Sequence, residues 1–89
     1  MNNMSIGDRI LEIGHKFSNR IDVGILNGAL SYVDHNEDHL AIDTFCEHLL
    51  EFETRIQRDE YDELCKLVAD MGLDENAPPY RYLSQLLVS

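Results

Sequence analysis

The sequence predicts an all-α fold, a compact bundle of four to five short helices that forms one domain over residues 1–89. Apolar residues recur at helical spacing, no alternating strand pattern persists, and capping or turn residues separate the periodic segments. The chain has 89 residues, of which 44% are apolar, and this suffices for one modest core. No run of about 18 apolar residues occurs, so we expect no transmembrane segment.

The periodic segments give the expected helices in chain order. They cover residues 6–17, 21–33, 37–52 and 58–71, and a short last helix begins at Pro79. Ser5 and Asp8 resemble a weak capping box at the start of the first helix. Gly7 and Gly14 weaken that helix by up to about 1 kcal/mol each relative to alanine. We therefore expect both glycines where the helix packs closely against a neighbour.

The third helix follows an acidic turn, DHNED, at residues 34–38. Asn36 is predicted to cap the helix, and the adjacent acids suit its positive N-terminal end. Its apolar side is predicted to comprise Leu40, Ala41, Phe45, Leu49 and Phe52. Asp43, Glu47 and Glu51 form a stripe at intervals of four residues, a spacing at which like charges destabilise a helix. Because this stripe destabilises its own helix, we expect the three acids to have a function.

The C-terminal half is expected to close the core. Ile56 in the connector is predicted to turn inward. The fourth helix is predicted to bury one face, made of Tyr61, Leu64, Cys65, Val68 and Met71. Gly72 followed by Leu73 is typical of a helix C-terminus in which glycine adopts the left-handed conformation. We expect the last helix to be fastened by Tyr80 and Tyr82 and to complete the core with Leu83, Leu86 and Leu87. The alternative for the YRY segment, in which Arg81 lies between the two tyrosines, is that it stacks on a partner.

Acidic residues dominate the charge of the chain. There are 17 acidic and 7 basic residues, which give a net charge of −10. Residues 34–63 hold 11 of the acids and two bases, Arg55 and Arg58, so this third of the chain carries −9. Such a field repels nucleic acid and anionic lipid and favours a basic protein partner. The alternative is that the acids only keep a small protein soluble.

The acids of this segment are the candidate partner-binding residues. The main arc comprises Asp34, Glu37, Asp38, Asp43, Glu47, Glu51 and Glu53, and a second patch comprises Asp59, Glu60 and Glu63.

A metal site is the first competing interpretation. His35, His39 and Asp43 follow one another at intervals of four, and two histidines with a carboxylate are a metal-ligand set if one helix carries all three. The turn residues of DHNED predict that the helix starts after His35, which separates the two histidines. No HExxH or CxxC motif occurs, and the segment lacks the glycine and glutamate of an EF-hand loop. We therefore predict no metal and no cofactor.

Catalysis is the second competing interpretation. Cys46 and Cys65 both fall in apolar-periodic segments, so we expect them to be reduced and buried, and a thiol in apolar surroundings is inert. The carboxylates lie on polar faces rather than in a cleft that could tune their pKa, and no glycine-rich phosphate loop is present. We predict that the protein is not an enzyme. The start, MNNMSIGDRI, lacks the order of a secretory signal, so residence in the cytoplasm is the expectation.

The central stretch NEDHLAIDTFCEHLLEFETRIQRDEYDELCKLVADMGLDE, residues 36–75, resembles the MafI-type immunity proteins. These are small helical antitoxins encoded beside secreted polymorphic toxins of bacteria. The matching elements are Leu40, Ala41, Ile42, Asp43, Thr44, Cys46, Leu49, Glu51, Ile56, Glu60, Tyr61, Leu64, Met71, Gly72 and Leu73. They cover a stretch of 40 of the 89 residues and are mostly core positions. Phe45 and His39 depart from the family pattern.

The resemblance implies neutralisation of a cognate toxin in the cytoplasm of the producing cell or its siblings. Toxins partnered with this family, including those of contact-dependent growth inhibition, are commonly nucleases, and an EndoU-type endoribonuclease is the expected one. Its basic groove suits an acidic inhibitor, so we expect a heterodimer with the toxin's C-terminal domain and a monomer in the free state. The alternative is an acidic helical adaptor or regulatory protein that binds another basic protein, and a metalloprotein or enzyme comes third.

Overall fold

The computed structural model describes residues 4–88, so residues 1–3 and 89 of the predicted domain lie outside the described part. The α-helices are α1 (Ile6–His15), α2 (Val23–Leu30), α3 (Asp38–Glu51) and α4 (Arg58–Asp70). A 3-10 helix, Ser31–His35, continues α2, and a second one, Tyr80–Leu86, ends the described chain. The predicted all-α class is confirmed, and the helices form a single globule. Within residues 4–88 no helix is long and apolar enough to cross a membrane.

α1 is the central element of the bundle, because it contacts each of the other three α-helices. Its start is fixed by Ser5, whose hydroxyl accepts a hydrogen bond from the Asp8 backbone N–H at 3.1 Å. A methyl group on Gly7 would lie 2.8 Å from a Val33 methyl, and one on Gly14 would lie 2.7 Å from Leu30. The predicted close packing at both glycines is confirmed, and it brings α1 against α2 and the 3-10 helix that follows.

The turn before α3 differs from the prediction in one respect. Asn36 lies after the 3-10 helix in the left-handed conformation, with φ of 58°, which asparagine tolerates better than most residues. It therefore ends one helix rather than capping the next, and the predicted cap is wrong. α3 begins at Asp38 after Glu37, whose side chain makes no capping hydrogen bond.

The buried side of α3 is rotated from the predicted one. Its core residues are Ala41, Ile42, Phe45, Cys46 and Leu49. Leu40 and Phe52, which were expected in the core, are 43% and 47% exposed. The rotation follows from the packing partners, because α1, α2 and the terminal 3-10 helix all contact α3 and cover the side that carries Ile42 and Cys46. Leu40 is left on the outward side.

The C-terminal half closes the core largely as predicted. Ile56 is fully buried, and its N–H donates to the Leu86 carbonyl while its carbonyl accepts from the Val88 N–H, both at 3.0 Å. Gly72 has a φ of 73°, and the Leu73 N–H donates to the Val68 carbonyl at 3.1 Å, which confirms the predicted C-cap.

The terminal 3-10 helix lies between α3 and α4, which share no direct backbone contact with each other. Tyr80 and Leu83 are buried, whereas Leu86 and Leu87 are half-buried. Tyr82 is 40% exposed, so Tyr80 alone of the two tyrosines fastens this segment and the expectation for Tyr82 is wrong. The fourth helix also buries Leu67, which the predicted face omitted.

Candidate functional site: an acidic surface on α3

Glu60, a member of the predicted second patch, serves the fold. It is 7% exposed, and its two carboxylate oxygens accept hydrogen bonds of 2.8 and 2.6 Å from the Arg20 guanidinium. The Gln57 backbone N–H donates to it at 2.9 Å. The bonds from Arg20 hold the pKa of Glu60 below its usual range. A carboxylate so enclosed offers no surface to a partner, and we remove Glu60 from the candidate surface.

Three other acids of α4 also form ion pairs, at more exposed positions than Glu60. The ion pairs are Lys16–Glu63 at 3.0 Å, Arg9–Asp70 at 2.9 Å and Arg58–Asp62 at 3.3 Å. The hydrogen bond that Lys16 donates to the Glu63 carboxylate raises the pKa of Lys16. Asp59 is exposed in the first turn of α4, where the helix dipole favours a carboxylate. Two of the three acids of the predicted second patch, Glu60 and Glu63, are therefore paired with cations of the turn after α1, whereas Asp59 forms no ion pair within residues 4–88.

The acids around α3 have different surroundings. Residues 34–53 contain seven acids and no lysine or arginine. Within residues 4–88, none of these acids forms an ion pair with a lysine or arginine. The exposed members lie before α3, on its outward face and just after it: Asp34, Glu37, Glu47, Glu51 and Glu53. We call these five residues the α3 acidic surface.

Two predicted members of the arc have structural contacts. Asp38 is half-buried, and its carboxylate lies close to Gly7. A methyl group added to Gly7 would lie 3.4 Å from a carboxylate oxygen of Asp38. Asp38 thus faces the positive start of α1, which favours an anion. Asp43 accepts a hydrogen bond from the Tyr80 hydroxyl and lies 3.4 Å from His39 Nε2. Asp43 therefore fastens the terminal 3-10 helix to α3.

The Tyr80–Asp43 hydrogen bond joins residues 37 positions apart, and no local spacing in the sequence signals it. Burial, reinforced by this hydrogen bond, raises the pKa of Tyr80 well above its usual value. The hydroxyl therefore stays protonated and remains a donor to Asp43 at physiological pH. The predicted stripe of three acids thus divides into Asp43, which bonds to Tyr80, and Glu47 with Glu51, which are exposed, although Glu51 also lies 3.5 Å from His48 Nδ1.

His35 and His39 lie in different helices, as the turn residues predicted. His35 lies in the first 3-10 helix, where Nδ1 is 3.1 Å from the Ser31 carbonyl oxygen. The left-handed Asn36 follows it, and His39 belongs to α3. In residues 4–88, no three histidine, cysteine or acidic side chains are grouped so that they could hold a metal ion.

The two cysteines differ. Cys46 is fully buried, and burial strongly raises the pKa of its thiol, so it is a poor nucleophile. Cys65 is half-buried rather than part of the core, which corrects the expectation for this residue. Their helices, α3 and α4, share no backbone contact, so a disulfide between them would require the backbone to move.

Cys65 lies in a groove between α4 and the terminal 3-10 helix, with a cavity volume of about 560 Å³. Its apolar floor consists of Leu64, Val68 and Leu83, and the ring of Tyr80 forms part of its wall. Sequence reasoning missed this groove, because it is formed by segments that meet only in the folded chain.

No protein-family model, curated protein or solved structure matches the chain. The candidate surface is therefore defined by its own residues and geometry.

Proposed function

We propose that this chain is an immunity protein that binds and neutralises a cognate secreted bacterial toxin. The expected toxin is an EndoU-type endoribonuclease, and the α3 acidic surface covers its basic active-site groove. The activity is stoichiometric inhibition in the cytoplasm, without catalysis, in a heterodimer with the toxin's C-terminal domain. The observation that carries the proposal is the run of carboxylates at residues 34–53 that has no lysine or arginine partner within the described chain.

The absence of internal cations supports a partner over mere solubility. Carboxylates already paired within the fold have little field left to attract a ligand, whereas unpaired ones project a negative potential that steers a cationic protein toward them. At physiological salt this potential extends about 8 Å from the surface. The α3 acidic surface is the part of the described molecule where such a potential is least compensated.

Exposed apolar side chains among these acids also support a protein partner. Leu40, which is exposed, precedes Asp43 by three residues and Glu47 by seven, so the three side chains share one face of α3. Phe52 is exposed where the helix ends. Protein interfaces combine buried apolar contacts with a polar rim. Leu40 and Phe52 give the α3 acidic surface two apolar side chains that a partner could bury.

The inhibition follows from the chemistry of a ribonuclease groove. Such a groove binds RNA phosphates through cationic side chains, and carboxylates at similar spacing can occupy those positions instead. Steering raises the rate of capture, and close ion pairs that lose their water slow release. The inhibitor competes with RNA without being cleaved, because it offers the groove no phosphodiester bond.

The test is protection of bacteria that express an EndoU-type toxin domain from an inducible promoter. We expect co-expression of the wild-type chain with its cognate toxin to restore growth, and Glu47→Lys combined with Glu51→Lys to abolish protection. Asp43 is left unchanged because it binds Tyr80. The matched control combines Glu12→Lys with Asp62→Lys, which changes the net charge equally at exposed positions away from α3.

The control is expected to protect like the wild type. Equal protection by both double variants would show that the α3 acidic surface is not the interface. A wild-type chain that rescues growth from no EndoU-type toxin of a panel, while no neighbouring gene encodes a toxin C-terminal domain, would favour the alternative of an acidic adaptor for another basic protein.

A further inference from the structure

The α3 acidic surface explains how a cationic partner is attracted, but it explains less well how that partner stays bound. Exposed carboxylates contribute little net affinity, because the ions they pair with stay hydrated and screened. Tight interfaces depend on a few side chains that fill pockets near the centre of the contact. A partner that is held as well as attracted therefore needs a pocket close to the acids.

The groove between α4 and the terminal 3-10 helix is such a pocket. Tyr80 links the groove to the neighbourhood of the α3 acidic surface, since its ring lines the groove while its hydroxyl donates to Asp43, one helical turn before Glu47 on α3. Glu47 is near enough to contribute to the raised pKa of Tyr80. The terminal 3-10 helix, which lines the groove with Tyr80, Arg81 and Leu83, also contacts α3.

The residues that line the groove determine what kind of ligand it can bind. The floor of Leu64, Val68 and Leu83 is apolar, and the volume of about 560 Å³ falls within the range of about 300–1,000 Å³ common for ligand pockets. Glu75, Asn76 and Arg81 supply polar groups, and Tyr61 and Cys65 line the α4 side. Glu75 and Arg81 cancel in charge, so the groove favours a neutral guest with an apolar body and hydrogen-bonding groups at its edge.

A protein loop that presents one large apolar side chain has this chemistry, because its flanking peptide groups are neutral donors and acceptors. We propose that the groove receives an aromatic or large aliphatic side chain from a loop of the same cationic partner that meets the α3 acidic surface. Asn76 and Arg81 then hydrogen-bond the backbone of that loop. This inference rests on the proposed function, and it adds the anchor that the acids lack.

The experiment fills the groove and measures the dissociation constant for the toxin domain that the wild-type chain neutralises. Cys65→Phe places a ring in the groove from a half-buried position, and Cys65→Ser removes the thiol while leaving the space. Ala69→Phe is the matched control, because it adds the same ring to α4 at an exposed position outside the lining. Urea denaturation of each variant confirms folding.

We expect Cys65→Phe to weaken binding about tenfold or more, and Cys65→Ser and Ala69→Phe to change it by no more than about twofold. Unchanged binding by Cys65→Phe, with binding still abolished by Glu47→Lys and Glu51→Lys, overturns the groove proposal and leaves the proposed function standing. A wild-type chain that binds no such toxin overturns both.

A second measurement keeps the proposal testable if Cys65→Phe does not fold. N-acetyl-L-phenylalaninamide carries one aromatic side chain between two neutral peptide groups, as the inferred loop does. Titrated to millimolar concentration against the wild-type protein, it should shift the amide NMR signals of residues around Cys65, Val68 and Arg81 and leave those of α2 unchanged. Shifts spread evenly over the protein, or none, contradict the proposed occupant.

Discussion

The acids of α3 and those of α4 are similar in number and in helical setting, yet the fold treats them differently. Three acids of α4 form ion pairs with cations of α1 and the turn after it: Glu60 with Arg20, Glu63 with Lys16 and Asp70 with Arg9. Around α3, no lysine or arginine within residues 4–88 pairs with an acid of residues 34–53. The difference arises because α1 and the turn after it present their cations toward α4. Net charge alone would have assigned both regions to one surface.

The contrast assigns the two regions different physical roles. The acids of α4 stabilise the fold by tying it to the N-terminal third, whereas the α3 acidic surface leaves its charge available to a partner. Substitutions at α4 should therefore affect the free energy of unfolding, and substitutions on the α3 acidic surface should affect binding.

The largest expected effect on stability is at the Arg20–Glu60 pair. Glu60→Gln removes the charge that meets the Arg20 guanidinium in a nearly buried site. It should lower the free energy of unfolding by roughly 2–4 kcal/mol, measured by urea denaturation at neutral pH. Glu47→Gln is the matched control on α3 and should cost nothing. A comparable loss in both variants would remove the distinction between the two regions.

The same pair predicts a pH dependence. Because the pKa of Glu60 is lowered in the folded protein, its contribution to stability is fully present above the ordinary glutamate value of 4.5 and is lost as the pH falls through the folded pKa. Wild type and Glu60→Gln should therefore differ most at neutral pH and converge in acid. Urea denaturation across this range measures the convergence, and a constant difference would contradict it.

The bond between Tyr80 and Asp43 should have a smaller effect. Tyr80→Phe keeps the ring in the groove wall but removes the donor to a charged, half-buried acceptor. The expected loss is about 1–2 kcal/mol in the free energy of unfolding. Asp43→Asn combined with Tyr80→Phe should cost less than the sum of the two single changes, since both remove one interaction. Strict additivity would show that the hydrogen bond does not form.

The smallest effect is expected on the α3 acidic surface itself. Glu47→Gln with Glu51→Gln removes like-charge repulsion at a spacing of four residues and should stabilise the protein by a few tenths of a kcal/mol. Thermal unfolding at low salt, where the repulsion is least screened, provides the most sensitive measurement. A clear loss of stability would mean that these carboxylates stabilise the fold, as Glu51 would if its contact with His48 Nδ1 at 3.5 Å outweighed the repulsion.

Local signals in the sequence predicted the helices well. Ser5 starts α1 and Gly72 ends the α4 region because each acts through hydrogen bonds to residues within one turn of it. The close approach at Gly7 and Gly14 was also predictable, since glycine within a helix is costly unless a neighbour needs the space. Asn36 was harder to place, because the same residue suits both a helix cap and a left-handed turn.

The orientation of α3 and the sorting of its acids depend on contacts distant in sequence. α3 carries apolar residues on more than one side, so spacing alone could not choose between Leu40 and Ile42 for the core. Glu60 looked like any acid of the patch because its partner, Arg20, lies 40 residues away. The candidate site could therefore be located in the sequence, but the tertiary contacts decided which of its members are free.

The most direct test of the account is the dissociation constant of a neutralised EndoU-type toxin domain for two variants of equal charge. Glu47→Gln with Glu51→Gln changes the α3 acidic surface, and Asp62→Gln with Glu63→Gln changes acids that have internal partners. We predict that the first variant binds about threefold to thirtyfold more weakly than wild type and that the second binds nearly as well as wild type. Equal weakening by both variants, or a larger loss in the second, would contradict the account.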